Sequence, residues 1–138
     1  MNKNNVFTVD TGDEEYILQD KYGAEICKIR FNPADTGIAK RYKEALQNID
    51  NADIPETDDL QEVFAMDEFL KEQFSYILGR TSAGGAFEKT SPLSVLADGR
   101  FYFEAVLEVI AQIIGETVEK RYKKARAKID KAVKEVLG

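Results

Sequence analysis

This chain has no histidine and no tryptophan, and only one cysteine and three prolines in 138 residues. Each shortage narrows what it can do. Without histidine there is no imidazole to act as general base, as partner to a nucleophile or as metal ligand, the commonest choice for all three. Carboxylate-only catalysis survives that exclusion, but most hydrolase and transferase schemes do not. A single cysteine, Cys27, rules out an internal disulfide and any zinc site built on several thiolates. No apolar run approaches the ~20 residues of a membrane span. The first fifteen residues contain one lysine and no apolar stretch, so no secretory signal is read there and a cytoplasmic protein is expected. A non-enzymatic chain with no cofactor is the expectation.

Charge is present but unevenly placed. Residues 1–100 hold 11 basic against 19 acidic side chains, whereas residues 116–138 hold 8 basic against 4 acidic. The acidic body disfavours nonspecific nucleic-acid binding, which needs a basic footprint. The basic tail keeps a small nucleic-acid-binding regulator as an alternative. Cations near a helix C-terminus also oppose the macrodipole and keep an exposed face wet, which needs no ligand.

Periodicity supplies the architecture. Residues 1–13 show none and read as a flexible arm. Tyr16–Leu18 and Glu25–Phe31 are β-prone around a turn at Gly23, a hairpin whose second strand alternates Cys27, Ile29 and Phe31 with Lys28 and Arg30. Cys27 is thereby expected in the core as a small hydrophobe. Asn32-Pro33-Ala34-Asp35 predicts a helix start with Asn32 as cap, followed by Ile38, Tyr42, Ala45, Leu46 and Ile49 on one face. A polar connection over 48–57 leads to a helix over 58–78 with Leu60, Val63, Phe64, Leu70, Phe74, Ile77 and Leu78 on its face. Residues 79–90 are Gly-rich and read as a flexible loop anchored by Phe87. Ser91-Pro92 predicts a short helical turn, broken by Asp98-Gly99.

From Phe101 to Leu137 the pattern is one long helix that changes character midway. The first half is broadly apolar; from Glu116 it is basic, with a narrow seam at Val118, Tyr122, Ala125, Ile129, Ala132 and Val136. Their 4-3 alternation is that of a helix packing on another helix. Such a helix is roughly 55 Å long, whereas a compact chain of this size is roughly 35–40 Å across. A straight helix must project or lie on a partner. The fold class expected is α+β: a mostly helical single domain with an N-terminal β-hairpin and a long C-terminal helix. Its parts are an arm (1–13), a hairpin-plus-helices body (14–115) and a basic heptad-patterned extension (116–138). Partner contact is expected at Val118, Tyr122, Ala125, Ile129 and Val136, with Phe101 and Tyr102 as further candidates.

Three motifs fail on context. Asp-Thr-Gly occurs at 10–12 and 35–37, the aspartic-protease pattern, but one copy lies in a polar arm and the other at a helix start, not on loops between apolar strands. Gly79-x-x-x-x-Gly84 is followed by Gly85-Ala86 where a phosphate loop needs lysine and a hydroxyl. The acids at 50–53 and 58–59 lack the terminal bidentate glutamate of a calcium loop.

One layout remains. Phe31-Asn32-Pro33-Ala34-Asp35-Thr36-Gly37 followed by an amphipathic helix resembles tail assembly chaperones from long-tailed phages and prophages of Gram-positive bacteria. So do the next helix ending at Gly79, the Gly-rich loop with Phe87, the Ser91-Pro92-Leu93 turn, and the closing helix with Phe101, Phe103 and Leu107. The resemblance covers roughly residues 15–115. Members often carry glycine after the loop phenylalanine, where this chain has Glu88, and the basic extension is longer than theirs. The resemblance implies a protein of the bacterial host cytoplasm that coats hydrophobic helices of a tape-measure protein and helps recruit tail-tube subunits. Homo-oligomers are expected because the basic extension can pair with a neighbouring acidic body. A structural tail or connector component of the particle is the other reading it allows.

Overall fold

The structure, a computed structural model, describes residues 5–54 and 58–137, the side chains of Thr81, Ser82 and Tyr122 excepted. It is α+β, with an antiparallel hairpin followed by four helices. Strands β1 (Glu14–Gln19) and β2 (Glu25–Phe31) pair with Tyr16 opposite Ile29 and Leu18 opposite Cys27, and a bulge follows Leu18. Asp20 closes the turn by accepting from the backbone N–H groups of Tyr22 and Ala24, and Gly23 supplies the positive φ the reversal needs. One face of the hairpin buries Cys27, Ile29 and Phe31. The other is wet, with Glu15 bridging Lys28 and Arg30. Before β1, residues 5–13 form no regular element, yet Thr11 and Gly12 lie against Asn32, whose side-chain amide donates to the Thr11 carbonyl.

Helix α1 (Thr36–Asp50) starts three residues later than the sequence suggests. Asp35, not Asn32, is its cap and accepts from the Gly37 N–H at 2.8 Å. Asn32 instead closes a turn over Pro33, accepting from the Ala34 N–H at 2.9 Å. Both residues are good caps; the one with extended backbone directly before the helical run takes the role. Helix α2 (Leu60–Leu78) is capped by Asp59 and ends at Gly79. Leu70, Phe74 and Ile77 are buried on it, but Leu60 and Phe64 are exposed, because the packed part of α2 begins only near Met66. The last residues of the expected connection, 55–57, lie outside the described residues.

The Gly-rich stretch is a helix, α3 (Arg80–Ala86), and not a flexible loop. Its small residues let two backbones meet. Ala83 and Ala86 are buried, and a Cβ on Gly85 would stand 3.2 Å from the Lys28 carbonyl oxygen of β2. Gly84 faces open space. Gly84→Ala should therefore stabilise the chain by about 0.5–1 kcal/mol through helix propensity. Gly85→Val should destabilise it, because the branched side chain must push β2 away. Paired urea denaturation curves check both signs.

After α3, Phe87 meets Phe74 edge-to-face at 4.8 Å and Tyr102 at 5.8 Å, forming the aromatic centre of the core. Residues 91–100 do not form the expected helical turn. They fold as a tight reversal, with a bridge between Val95 and Phe101 and a 2.7 Å bond from the Leu96 N–H to the Arg100 carbonyl. Pro92 is buried and its carbonyl accepts from the Phe103 N–H, while the Ser94 carbonyl accepts from Tyr102. These bonds satisfy the first amides of the last helix, α4 (Tyr102–Leu137), and Glu104 reaches back to the Phe101 N–H. Among the described residues no helix is long and apolar enough to cross a membrane.

Candidate interaction surface

Helix α4 spans 36 residues, and only its first three turns are packed. Tyr102, Phe103, Val106, Leu107 and Ile110 are buried, with Ile113 and Ile114 half-buried at the edge of the core. Further along, the Arg121 guanidinium donates to the Ala34 carbonyl at 2.6 Å, which holds the helix beside the turn before α1. From there to Leu137 the described side chains are exposed. Sixteen residues at 1.5 Å each carry the helix about 24 Å past that contact.

That free segment carries the seam. Val118 is 54% exposed, Ile129 57% and Val136 84%, with Ala125 and Ala132 exposed between them. Tyr122 stands in the same series on the helix; its side chain lies outside the described residues. Val133 and Leu137, outside the 4-3 series, are exposed too and widen the stripe. The cleft beside the arm is lined by Thr117, Lys120, Arg121 and Lys124. At 100° per residue these lie roughly 100° around the helix from the seam. The apolar stripe thus lies to the side of the face turned to its own body. Within the helix, Glu119 pairs with Lys123 at 3.2 Å and Arg126 with Asp130 at 3.9 Å, each a small exposed contribution.

The two further candidates fall elsewhere. Tyr102 is 4% exposed and belongs to the core: its hydroxyl donates to the Ala86 carbonyl at 2.8 Å and lies 3.7 Å from Cys27 Sγ. The tyrosine sits at the first helical position, where the inward face is set by α3 and β2, so it cannot serve as a surface contact. Phe101 is half-buried, stacked on Phe103 at 5.9 Å. Two concave surfaces had no signal in the sequence, because distant segments assemble them. An apolar groove of about 450 Å³ runs between β1 and α4, lined by Tyr16, Leu18, Ile26, Leu96, Val109 and Ile113. A second cleft, of about 640 Å³, has Tyr42, Ile49 and Leu107 on its floor and Asp50, Asp53 and Glu104 among its lining residues.

Asp35 is engaged by the Gly37 N–H and by Arg41 at 3.6 Å, and Asp10 by the Gly12 N–H. Among the described residues no cluster of three or more His, Cys, Asp or Glu side chains is placed to hold a metal ion. Burial pushes the Cys27 thiol above its usual 9.0, outweighing the opposing hydrogen bond with Tyr102. Burial also raises the Tyr102 and Tyr42 phenols above 10.0, Tyr42 donating to the Leu107 carbonyl. In each case folding favours the neutral form. Their contribution is therefore complete below the unfolded values and is lost as pH rises through the folded ones. The urea midpoint should stay roughly level from about pH 6 to 8.5, with no histidine to titrate, and fall above about pH 9. A thiol reagent at pH 8 should leave Cys27 unmodified until denaturant is added.

No protein-family model matches this chain, and neither a curated protein nor a solved structure is found to be similar to it.

Proposed function

We propose that this chain is a non-enzymatic assembly chaperone of the phage-tail type. It binds hydrophobic helices of a tape-measure-type client and associates with itself. One observation carries the reading: a stripe with Val118, Ile129 and Val136 half or more exposed, on a helix that has left its own core. Apolar side chains spaced along one helical face are the surface that another amphipathic helix covers. The acidic body and basic extension add attraction between chains without favouring a polyanion over the whole surface. The layout likeness to tail assembly chaperones supplies the class of client.

The test is solubility of a client. A tape-measure-type segment with long hydrophobic helices should stay in the supernatant when co-expressed with this chain, and precipitate with a Val118→Asp/Ile129→Asp variant. Equal precipitation with and without the chain contradicts the proposal. Retention in purified particles instead assigns it to the tail structure. The eight basic residues of the extension favour a second reading, nucleic-acid binding. A gel shift at low salt that collapses steeply as salt rises would support it over the chaperone.

A further inference from the structure

The composition of the seam indicates what covers it. Tyr122, Ile129 and Val136 are large, and they alternate with the small Ala125 and Ala132, with Val118 at the near end. Two copies paired parallel and in register would stack like on like. Ile129 would meet Ile129, and the Ala125 and Ala132 layers would be underfilled. Antiparallel pairing sets large against small in successive layers: Ile129 on Ala125 of the second copy, Tyr122 on Ala132, and Val136 on Val118 at each end. The flanking charges make the same choice. Antiparallel, Arg121 exchanges the Ala34 carbonyl it holds in the single chain for Glu135 of the second copy, twice by symmetry; parallel, Arg121 meets Arg126, a repulsion that also occurs twice.

We infer that the exposed extensions of two copies pair antiparallel over residues 118–136, forming a twofold-symmetric dimer. This rests on the self-association in the reading above and specifies its partner, register and orientation. The seam is free to receive a second copy because its described side chains are exposed and lie to the side of the face turned to the body. A single exposed helix of this length is only marginally stable in water, so pairing also holds the extension helical. Affinity is modest for two reasons. About three heptads overlap, the short end of what sustains a coiled coil. Arg126 and Lys128 each approach their own copy near the axis, Arg126 softened by its ion pair with Asp130.

Sedimentation equilibrium on the full chain tests the arrangement, with thermal melting of the body followed for each variant. Glu135→Lys should weaken the dimer roughly tenfold, since it turns two attractions into two repulsions. Arg121→Glu should weaken it similarly, and the two together should restore it. Tightening by Arg121→Glu overturns the inference in favour of parallel pairing. Tightening by Glu135→Lys overturns it in favour of a more basic extension docking in the acid-lined cleft beside Tyr42 and Ile49. A chain that stays monomeric at millimolar concentration also overturns it. If that monomer still keeps the client soluble, the pairing fails while the chaperone reading stands; an intact dimer with no effect on the client gives the reverse.

Discussion

Phe74→Ala should cost about 3–5 kcal/mol, the usual penalty for emptying a large aromatic site in a packed core. Phe74 is fully buried, and its ring is the one that Phe87 meets edge-on at 4.8 Å. Phe87 in turn meets Tyr102, so the three rings tie α2, the segment after α3 and the start of α4 together. Typical domains have only about 5–15 kcal/mol to lose, so the variant should be largely unfolded at modest urea concentrations. Phe64→Ala, on the same helix but 53% exposed, should stay within about 0.5 kcal/mol of the parent. Urea titrations followed by far-UV circular dichroism separate the two. Equal effects would mean that α2 packs along its whole length.

Ile129→Asp should do the opposite: destroy association and spare the fold. Ile129 is 57% exposed, far along α4 from the packed turns, and makes no contribution to the core. A carboxylate in the middle of a helix–helix seam must be desolvated without a partner, which costs several kcal/mol on pairing. Dimerisation should weaken by at least about a hundredfold, with the urea midpoint of the body unchanged. Sedimentation and denaturation on the same preparation give both numbers. A lowered midpoint would place Ile129 in the fold and not in an interface.

Much of this architecture could be read from residue order. The period-2 alternation at Cys27, Ile29 and Phe31 marked the inward face of β2, and the stripe from Ile38 to Ile49 marked α1. The long helix and its change of character at Glu116 were also legible, since a broad apolar face and a narrow seam have different spacing. What failed did so for physical reasons. Gly84 and Gly85 suggest a loop on propensity alone, yet α3 forms there because only small residues allow it to approach the β2 backbone. Leu60 and Phe64 continue the stripe of α2, but among the described residues no other element covers them. Tyr102 stands between two phenylalanines, and periodicity did not mark it as inward, although it is buried together with Phe103. Its hydroxyl finds the Ala86 carbonyl, a partner sixteen residues away that no local pattern reveals. The apolar groove and the acid-lined cleft depend on β1, the end of α1 and the start of α4 coming together, so they had no signature in any one segment.

Hydrogen exchange at two protein concentrations tests the central claim most directly. If the extension leaves its own body and is covered only by another chain, amides from about residue 122 onward should exchange fast in dilute solution. They should become protected as concentration rises, while those of Phe103 to Ile110 stay protected throughout. Strong protection of the 122–137 amides at high dilution, matching that of Phe103 to Ile110, would show the extension packed on its own chain and contradict the account.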